Sequence, residues 1–246
     1  MVLYHYMVYQ YLIKTIRQKG SAFFTLLDPG DKITGDSVKS ICKNGADAIL
    51  VGGSFIENSD FIERMKTIKS NSTVPVIIFP GGATQVSKYA DAILFTSLLS
   101  GRNPEYLISE QVKAAPIIKG LKLEVLPTGY LLIESGSSTS VLFMSNTSPI
   151  PRSKLDIAKS HSLTAQYFGM KFVYLDAGSG AKQSVPDEMI TAIKNYVDIP
   201  IIIGGGIKTP EDAKAKAKAG ASCVVIGNVI QRNPELAKKF ADAIHK

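Results

Sequence analysis

Cysteine is scarce in this chain: Cys42 and Cys223 are the only two in 246 residues. Two thiols cannot staple a secreted disulfide scaffold, and no Cys/His cluster has zinc-ligand spacing. No apolar run reaches the ~18 residues that a membrane span needs. The N-terminal stretch MVLYHYMVYQYLIK is apolar but lacks a basic n-region and a small-residue cleavage site, so it does not read as a signal peptide. No linker-like tract divides the chain, which is therefore taken as one domain, residues 1–246. Basic side chains outnumber acidic ones, 28 to 21, for a net charge of +7. Lys214, Lys216 and Lys218 alternate with alanine, a spacing that spreads them around a helix. No basic stripe is interleaved with aromatics, which argues against nucleic acid. The charge suits an anionic substrate or attraction to an anionic membrane surface. A globular cytoplasmic protein is expected, with peripheral contact to a membrane left open.

What recurs is a short β-branched run bounded by Gly, Pro, Asn or Asp, with a helical pattern after it. Strands are expected at Ala22–Leu27, Ala46–Val51, Val74–Phe79, Ala92–Phe95, Leu121–Leu126 with Tyr130–Ile133, Lys171–Leu175, Pro200–Ile203 and Ser222–Ile226. Most are nearly continuous hydrophobic runs, as parallel strands covered on both faces should be. Helices fit between them at Ser37–Asn44 with Asp36 as N-cap, Asp60–Ser70, Glu105–Ile118, Ser153–Phe168, Pro186–Tyr196, Pro210–Ala219 and Pro234–His245. GADAILVGGS, YADAILFTS and GASCVVIGN echo one another, the mark of stacked right-handed βα units. The fold class is α/β, a (β/α)8 TIM barrel. One crossover departs from the pattern. Between Pro80 and Asp91 lie ten residues, GGATQVSKYA, too few for a full helix and its two turns. The third helix is expected to be reduced or absent. Either its neighbours close in, or an apolar slot remains for a long apolar ligand.

Gly204, Gly205 and Gly206 follow the seventh strand, and Gly227 and Asn228 follow the eighth. Glycines there let backbone N–H groups approach an anion, and this is where many barrel enzymes hold phosphate. Carboxylates fall at expected strand ends: Asp28 after the first, Glu134 after the fifth, Asp176 after the sixth. Asp28 with Ser54 suits Mg2+, which takes hard oxygens and completes its shell with water and phosphate. An Asp-Pro turn is the competing role for Asp28. Tyr174 and Asp176 lie two apart on one strand and so share a face. Together they can grip a polyol hydroxyl, the carboxylate taking its proton. Glu134–Ser148 reads as a long functional loop. His5, His161 and His245 all lie away from strand ends, and Lys171 begins its strand, which argues against histidine acid–base chemistry and a Schiff-base lysine there.

Taken together, LLDP (26–29), ADAILVGGS (46–54), PVIIFPGG (75–82), YLDAGSGA (174–181), GGGIKTPEDA (204–213) and VIGN (225–228) resemble the geranylgeranylglyceryl phosphate synthase (phosphoglycerol geranylgeranyltransferase) family and its heptaprenylglyceryl phosphate synthase relatives. The resemblance runs from about Phe23 to near the C-terminus. It implies a prenyltransferase that joins the 3-hydroxyl of sn-glycerol 1-phosphate to C1 of a prenyl diphosphate and releases diphosphate. That step forms the first ether bond of archaeal-type membrane lipids. By the same resemblance, Asp28 and Ser54 hold Mg2+. Tyr174, Leu175, Asp176, Ala177, Gly178, Ser179, Gly180, Gly205, Gly206, Gly227 and Asn228 bind glycerol 1-phosphate, and Asp176 orients or deprotonates its hydroxyl. Three positions depart from the commonest family pattern. Gly30 is inserted in Asp28-Pro29-Gly30-Asp31-Lys32, Asp176 stands where many members have Glu, and Leu26 stands where some have Lys. The last resembles the second of the family's two sequence groups. Other readings are a phosphosugar isomerase or lyase on the same phosphate site, and a non-catalytic phosphate-binding barrel. Apolar Met1–Ile13 is available to cover the barrel base or a partner subunit, so a homo-oligomer stays open.

Overall fold

Along each strand of the computed structural model, which describes residues 7–56 and 60–246, side chains alternate between two separate cores, as the period-two geometry of a pleated strand requires. Phe24, Leu50, Ile77, Leu94, Leu126, Ile202 and Val225 fill the barrel interior. Their neighbours Phe23, Ile49, Ile78, Ile93, Val173, Ile203 and Val224 face the shell between sheet and helices. Burial on both faces explains why these strands are hydrophobic without a break.

The strands are β1 Ala22–Leu27, β2 Ala48–Val51, β3 Val76–Ile78, β4 Ala92–Leu98, β5 Glu124–Leu132, β6 Phe172–Asp176, β7 Ile201–Gly204 and β8 Cys223–Ile226. They close in sequence order, every neighbouring pair parallel, with β8 against β1. This is the expected eight-stranded barrel. β5 is one strand of nine residues, where the sequence suggested two pieces. Pro127 lacks an N–H for the ladder, yet its carbonyl still accepts from the Lys171 N–H at 2.8 Å, so the strand runs through it.

The helices are α1 Val8–Lys19, α2 Gly35–Lys43, α3 Phe61–Asn71, α4 Glu110–Leu121, α5 Ser140–Ser145, α6 Leu155–Tyr167, α7 Asp187–Lys194, α8 Pro210–Ala219, α9 Asn228–Arg232 and α10 Ala237–Ile244. α2 starts two residues earlier than expected. Thr34, not Asp36, is its N-cap, and Thr34 and Ser37 bond each other's backbone N–H groups reciprocally at 3.2 Å. Asp36 lies in the first turn, where its charge meets the positive end of the helix. Between β3 and β4 there is only a single 3-10 turn, Ala83–Gln85. The third helix of the outer ring is thus reduced to one turn, as the ten-residue crossover requires.

α1 closes the base of the barrel. Val8 and Leu12 enter the interior core, and the Glu124 carboxylate accepts from the Val8 and Tyr9 N–H groups. Lys171 lies at this base with its ammonium 4.7 Å from the Tyr9 ring centroid, away from the cavity. The apolar N-terminal stretch therefore covers the barrel base from Met7 onward, and its first residues, His5 among them, lie outside the described residues. Among the described residues no helix is long and apolar enough to cross a membrane.

Candidate active site

The carboxyl ends of the strands surround one cavity of about 780 Å³, lined by residues from all the loops above the barrel. Three chemically distinct walls meet in it.

The first wall is an anion cradle built from the loops after β7 and β8. Gly205, Gly206, Gly227 and Asn228 line it, with Ser179 and Gly180 from the loop after β6. Gly205 has φ +80°, and a Cβ there would lie 2.6 Å from Asp176 Oδ1 and 2.5 Å from the Gly178 nitrogen. Only glycine permits that approach. Lys208 and Arg232 add two cations to the same cavity. Neither was singled out from the sequence, although Lys208 lies two residues after the glycine run.

The second wall is a buried carboxylate between two phenols. Asp176 ends β6 and is 7% exposed. Its Oδ2 accepts from the Tyr130 hydroxyl at 2.6 Å, and its Oδ1 accepts from the Gly178 N–H at 2.8 Å. Burial raises the Asp176 pKa, while those two hydrogen bonds pull it back. Burial and the Asp176 charge together raise the pKa values of Tyr130 and Tyr174, so both phenols keep their protons. Tyr174 lies on the same face as Asp176, as its spacing required, and both line the cavity. The intervening Leu175 and the following Ala177 point outward into the shell core, so only their backbone can serve a ligand. Gly178 acts through its N–H on Asp176. Glu134 does not enter the cavity: it is exposed and accepts from the Arg152 N–H at 3.3 Å.

The third wall carries Asp28 and Ser54, on the loops after β1 and β2. Asp28 Oδ1 accepts from the Gly30 N–H at 2.8 Å, which makes the inserted Gly30 part of an Asx-type turn that aims the carboxylate. Asp28 thus forms the turn and faces the cavity at once. Burial raises its pKa, the Gly30 N–H opposes the rise, and the Asp31 charge adds to it. The Gln231 amide pairs with the Asp28 backbone N–H and C=O, both at 3.0 Å, and fixes this loop from α9. Gln85 does the same for the next loops: its Oε1 accepts from the Gly81 N–H at 3.0 Å, and its Nε2 donates to Gly53 O at 2.8 Å. Oδ2 of Asp28 takes no hydrogen bond among the described residues. Among the described residues, no group of three or more His, Cys, Asp or Glu side chains converges there on a metal site. One free carboxylate oxygen and a hydroxyl on the next loop of the same cavity are a donor set that fits Mg2+ and leaves most of its shell for water and a diphosphate.

From these walls an apolar slot runs outward where the third helix is missing. Ala83, Val86, Ile93, Phe95, Leu98 and Ala114 line it. The neighbouring helices have not closed the gap.

Comparison with known proteins agrees with the geometry. The PcrB family model matches residues 13–245. The geranylgeranylglyceryl phosphate synthase of Chitinophaga pinensis is 40% identical over 98% of this chain and 97% of its own length. That of Methanosphaera stadtmanae is also 40% identical, over 96% and 98%. The crystal structure of (S)-3-O-geranylgeranylglyceryl phosphate synthase from Thermoplasma acidophilum, in complex with its substrate sn-glycerol-1-phosphate, superposes with a TM-score of 0.91. It is 36% identical and covers 97% of this chain and 98% of that one.

Proposed function

The chain belongs to the PcrB family, and on that premise we propose that it is a prenyltransferase joining the 3-hydroxyl of sn-glycerol 1-phosphate to C1 of geranylgeranyl diphosphate. The observation that carries this reading is the continuity of the cavity, which joins an anion cradle, a buried base and an apolar slot.

The backbone N–H groups at Gly205, Gly206, Gly227 and Asn228, with Lys208 and Arg232, hold the phosphate of the acceptor. The Tyr174 hydroxyl orients the glycerol moiety. Asp176 accepts the proton of the 3-hydroxyl as its oxygen bonds to C1 of the prenyl chain. The C1–O bond to diphosphate breaks, and diphosphate leaves with the bonding electrons. Asp28 and Ser54 hold Mg2+, which when bound would neutralise charge on the departing diphosphate. Burying the prenyl tail in the slot contributes ~0.8 kcal/mol per CH2, so a long chain is held firmly without polar contacts. A phosphosugar isomerase or lyase leaves the slot without a use, and among the described residues no histidine lies in the cavity to serve as its partner acid.

The test is incubation with labelled glycerol 1-phosphate, Mg2+ and prenyl diphosphates from C10 to C35, followed by analysis of the ether product. Product is expected with chelation abolishing it; no product at any chain length overturns the reading. Ala114→Phe fills the slot and should lower kcat/KM for the C20 diphosphate by roughly 10–100-fold. The KM for glycerol 1-phosphate should stay unchanged, since Ala114 lies on the slot wall and not in the cradle.

A further inference from the structure

Two phenols approach Asp176, and they are not equivalent. Tyr130, on β5, is 6% exposed and spends its hydroxyl on Asp176 Oδ2 at 2.6 Å. Tyr174, on β6, makes no hydrogen bond through its hydroxyl among the described residues, although the residue is 1% exposed. Tyr174 lines the cavity and its hydroxyl is not among the buried polar atoms that lack a partner, so a hydroxyl with no protein partner is left for the contents of the cavity. The rings are locked together: Tyr130 meets Tyr174 edge-on at 5.6 Å between centroids and meets Phe79 at 5.8 Å, while Phe79 stacks on Tyr174 at 4.9 Å. Phe79 also lines the cavity, so the Tyr130 ring is wedged between the base and the wall.

Resting on the transferase reading above, we infer that Tyr130 is a positioning residue for the reaction: its phenol clamps the Asp176 carboxylate toward the acceptor hydroxyl, while Tyr174 reserves its own hydroxyl for the substrate. A carboxylate can rotate about its Cβ–Cγ bond. The Gly178 N–H on one oxygen and the Tyr130 hydroxyl on the other fix both ends and leave each oxygen a free lone pair. Neither donor is charged, so the clamp orients the base without neutralising it. The titratable side chains facing Asp176 are Tyr130 from β5 and Tyr174 from β6, with Cys223 of β8 beyond Tyr174. The loop after β7 presents only the backbone of Gly205. Lys208, Arg232 and Asp28 belong to other walls of the same cavity.

The test compares the natural chain with Tyr130→Phe, which keeps the ring and removes the hydroxyl, and with 3-fluorotyrosine at position 130, a stronger donor. Tyr130→Phe should lower kcat by roughly 10–100-fold, with the KM for glycerol 1-phosphate held within about twofold. Losing the hydrogen bond disfavours the ionised carboxylate, so the acid limb of kcat/KM moves to higher pH. Fluorotyrosine should move the limb to lower pH. An unmoved acid limb, an unchanged kcat, or a loss confined to KM overturns the inference. Isotope-edited infrared titration of Asp176 in both forms reads the clamp without substrate. If the natural chain makes no ether, the transferase reading fails, and the infrared shift alone decides whether Tyr130 holds the carboxylate. Thermal unfolding of Tyr130→Phe should match that of the natural chain within a few degrees, and a collapse would assign Tyr130 to packing instead.

Discussion

The barrel buries two aspartates at opposite ends, and they are held in opposite ways. Asp47, at the base, is 3% exposed, and Asp176, at the cavity, is 7% exposed. Asp47 accepts from Lys19 Nζ at 2.5 Å, His245 Nε2 at 2.8 Å and the Phe23 N–H at 2.8 Å. Burial pushes its pKa up, but hydrogen bonds from His245, Lys19 and Phe23 outweigh burial and bring it below the usual value. Asp176 receives only neutral donors, and its pKa stays raised. Similarly low exposure therefore goes with opposite chemistry. A cation beside a carboxylate makes a fastening, as Lys19 does on Asp47; neutral donors beside one leave it basic and available to take a proton.

Exchanging each carboxylate for an amide separates the two roles. Asp176→Asn should lower kcat by about 10²–10⁴-fold, with prenyl diphosphate binding retained, as equilibrium binding and turnover would show together. It should not destabilise the protein near neutral pH. A raised folded pKa contributes stability only below the unfolded value of ~3.9 and loses it as pH rises through the folded pKa, so removing the charge at pH 7 relieves a cost.

Asp47→Asn should do the reverse. Turnover persists, while urea unfolding loses about 1.5–3 kcal/mol, the scale of hydrogen bonds to a charged group. The pH dependence has the opposite sign too. The stability that Asp47 contributes is present above ~3.9 and lost as pH falls through its depressed folded pKa. The difference in stability between the natural chain and Asp47→Asn should therefore vanish in strong acid. The smallest effect belongs to His245→Ala, which leaves Lys19 and the Phe23 N–H in place. About 1 kcal/mol should be lost, with no change in kcat. A loss of turnover in either base variant would erase the distinction between the ends.

The base and the cavity also differ in how legible they were beforehand. Strands, closure order and the glycine cradle follow from local signals, namely hydrophobic runs and glycines at strand ends. The stunted crossover follows from a length, since ten residues cannot hold a helix and two turns. Side chains that act across the barrel carry no such signal. Tyr130 sits 46 positions before Asp176, and a tyrosine in a strand reads as packing until register brings the two together. Gln85 and Gln231 look like ordinary polar residues, yet each satisfies a loop distant in sequence. Asp36 has the residue type of an N-cap for α2. The capping box of Thr34 and Ser37 satisfies two backbone donors and wins.

The reduction of the third outer helix to one 3-10 turn divides the two substrate subsites by what it takes to change them. The acceptor site rests on strand ends and on glycines whose Cβ-free approach ties β6 to β7, so substitutions there disturb the barrel itself. The proposed prenyl site is bounded by β4, by a crossover held largely through Gln85 and by one face of α4, and the last two lie outside every strand pairing. On the proposed reading, tail length is open to drift and to redesign, while selection for the glycerol phosphate is tied to the architecture. Variants with altered chain preference are to be sought among Ala83, Val86 and Ala114, and they should retain the stereochemistry of the ether they form.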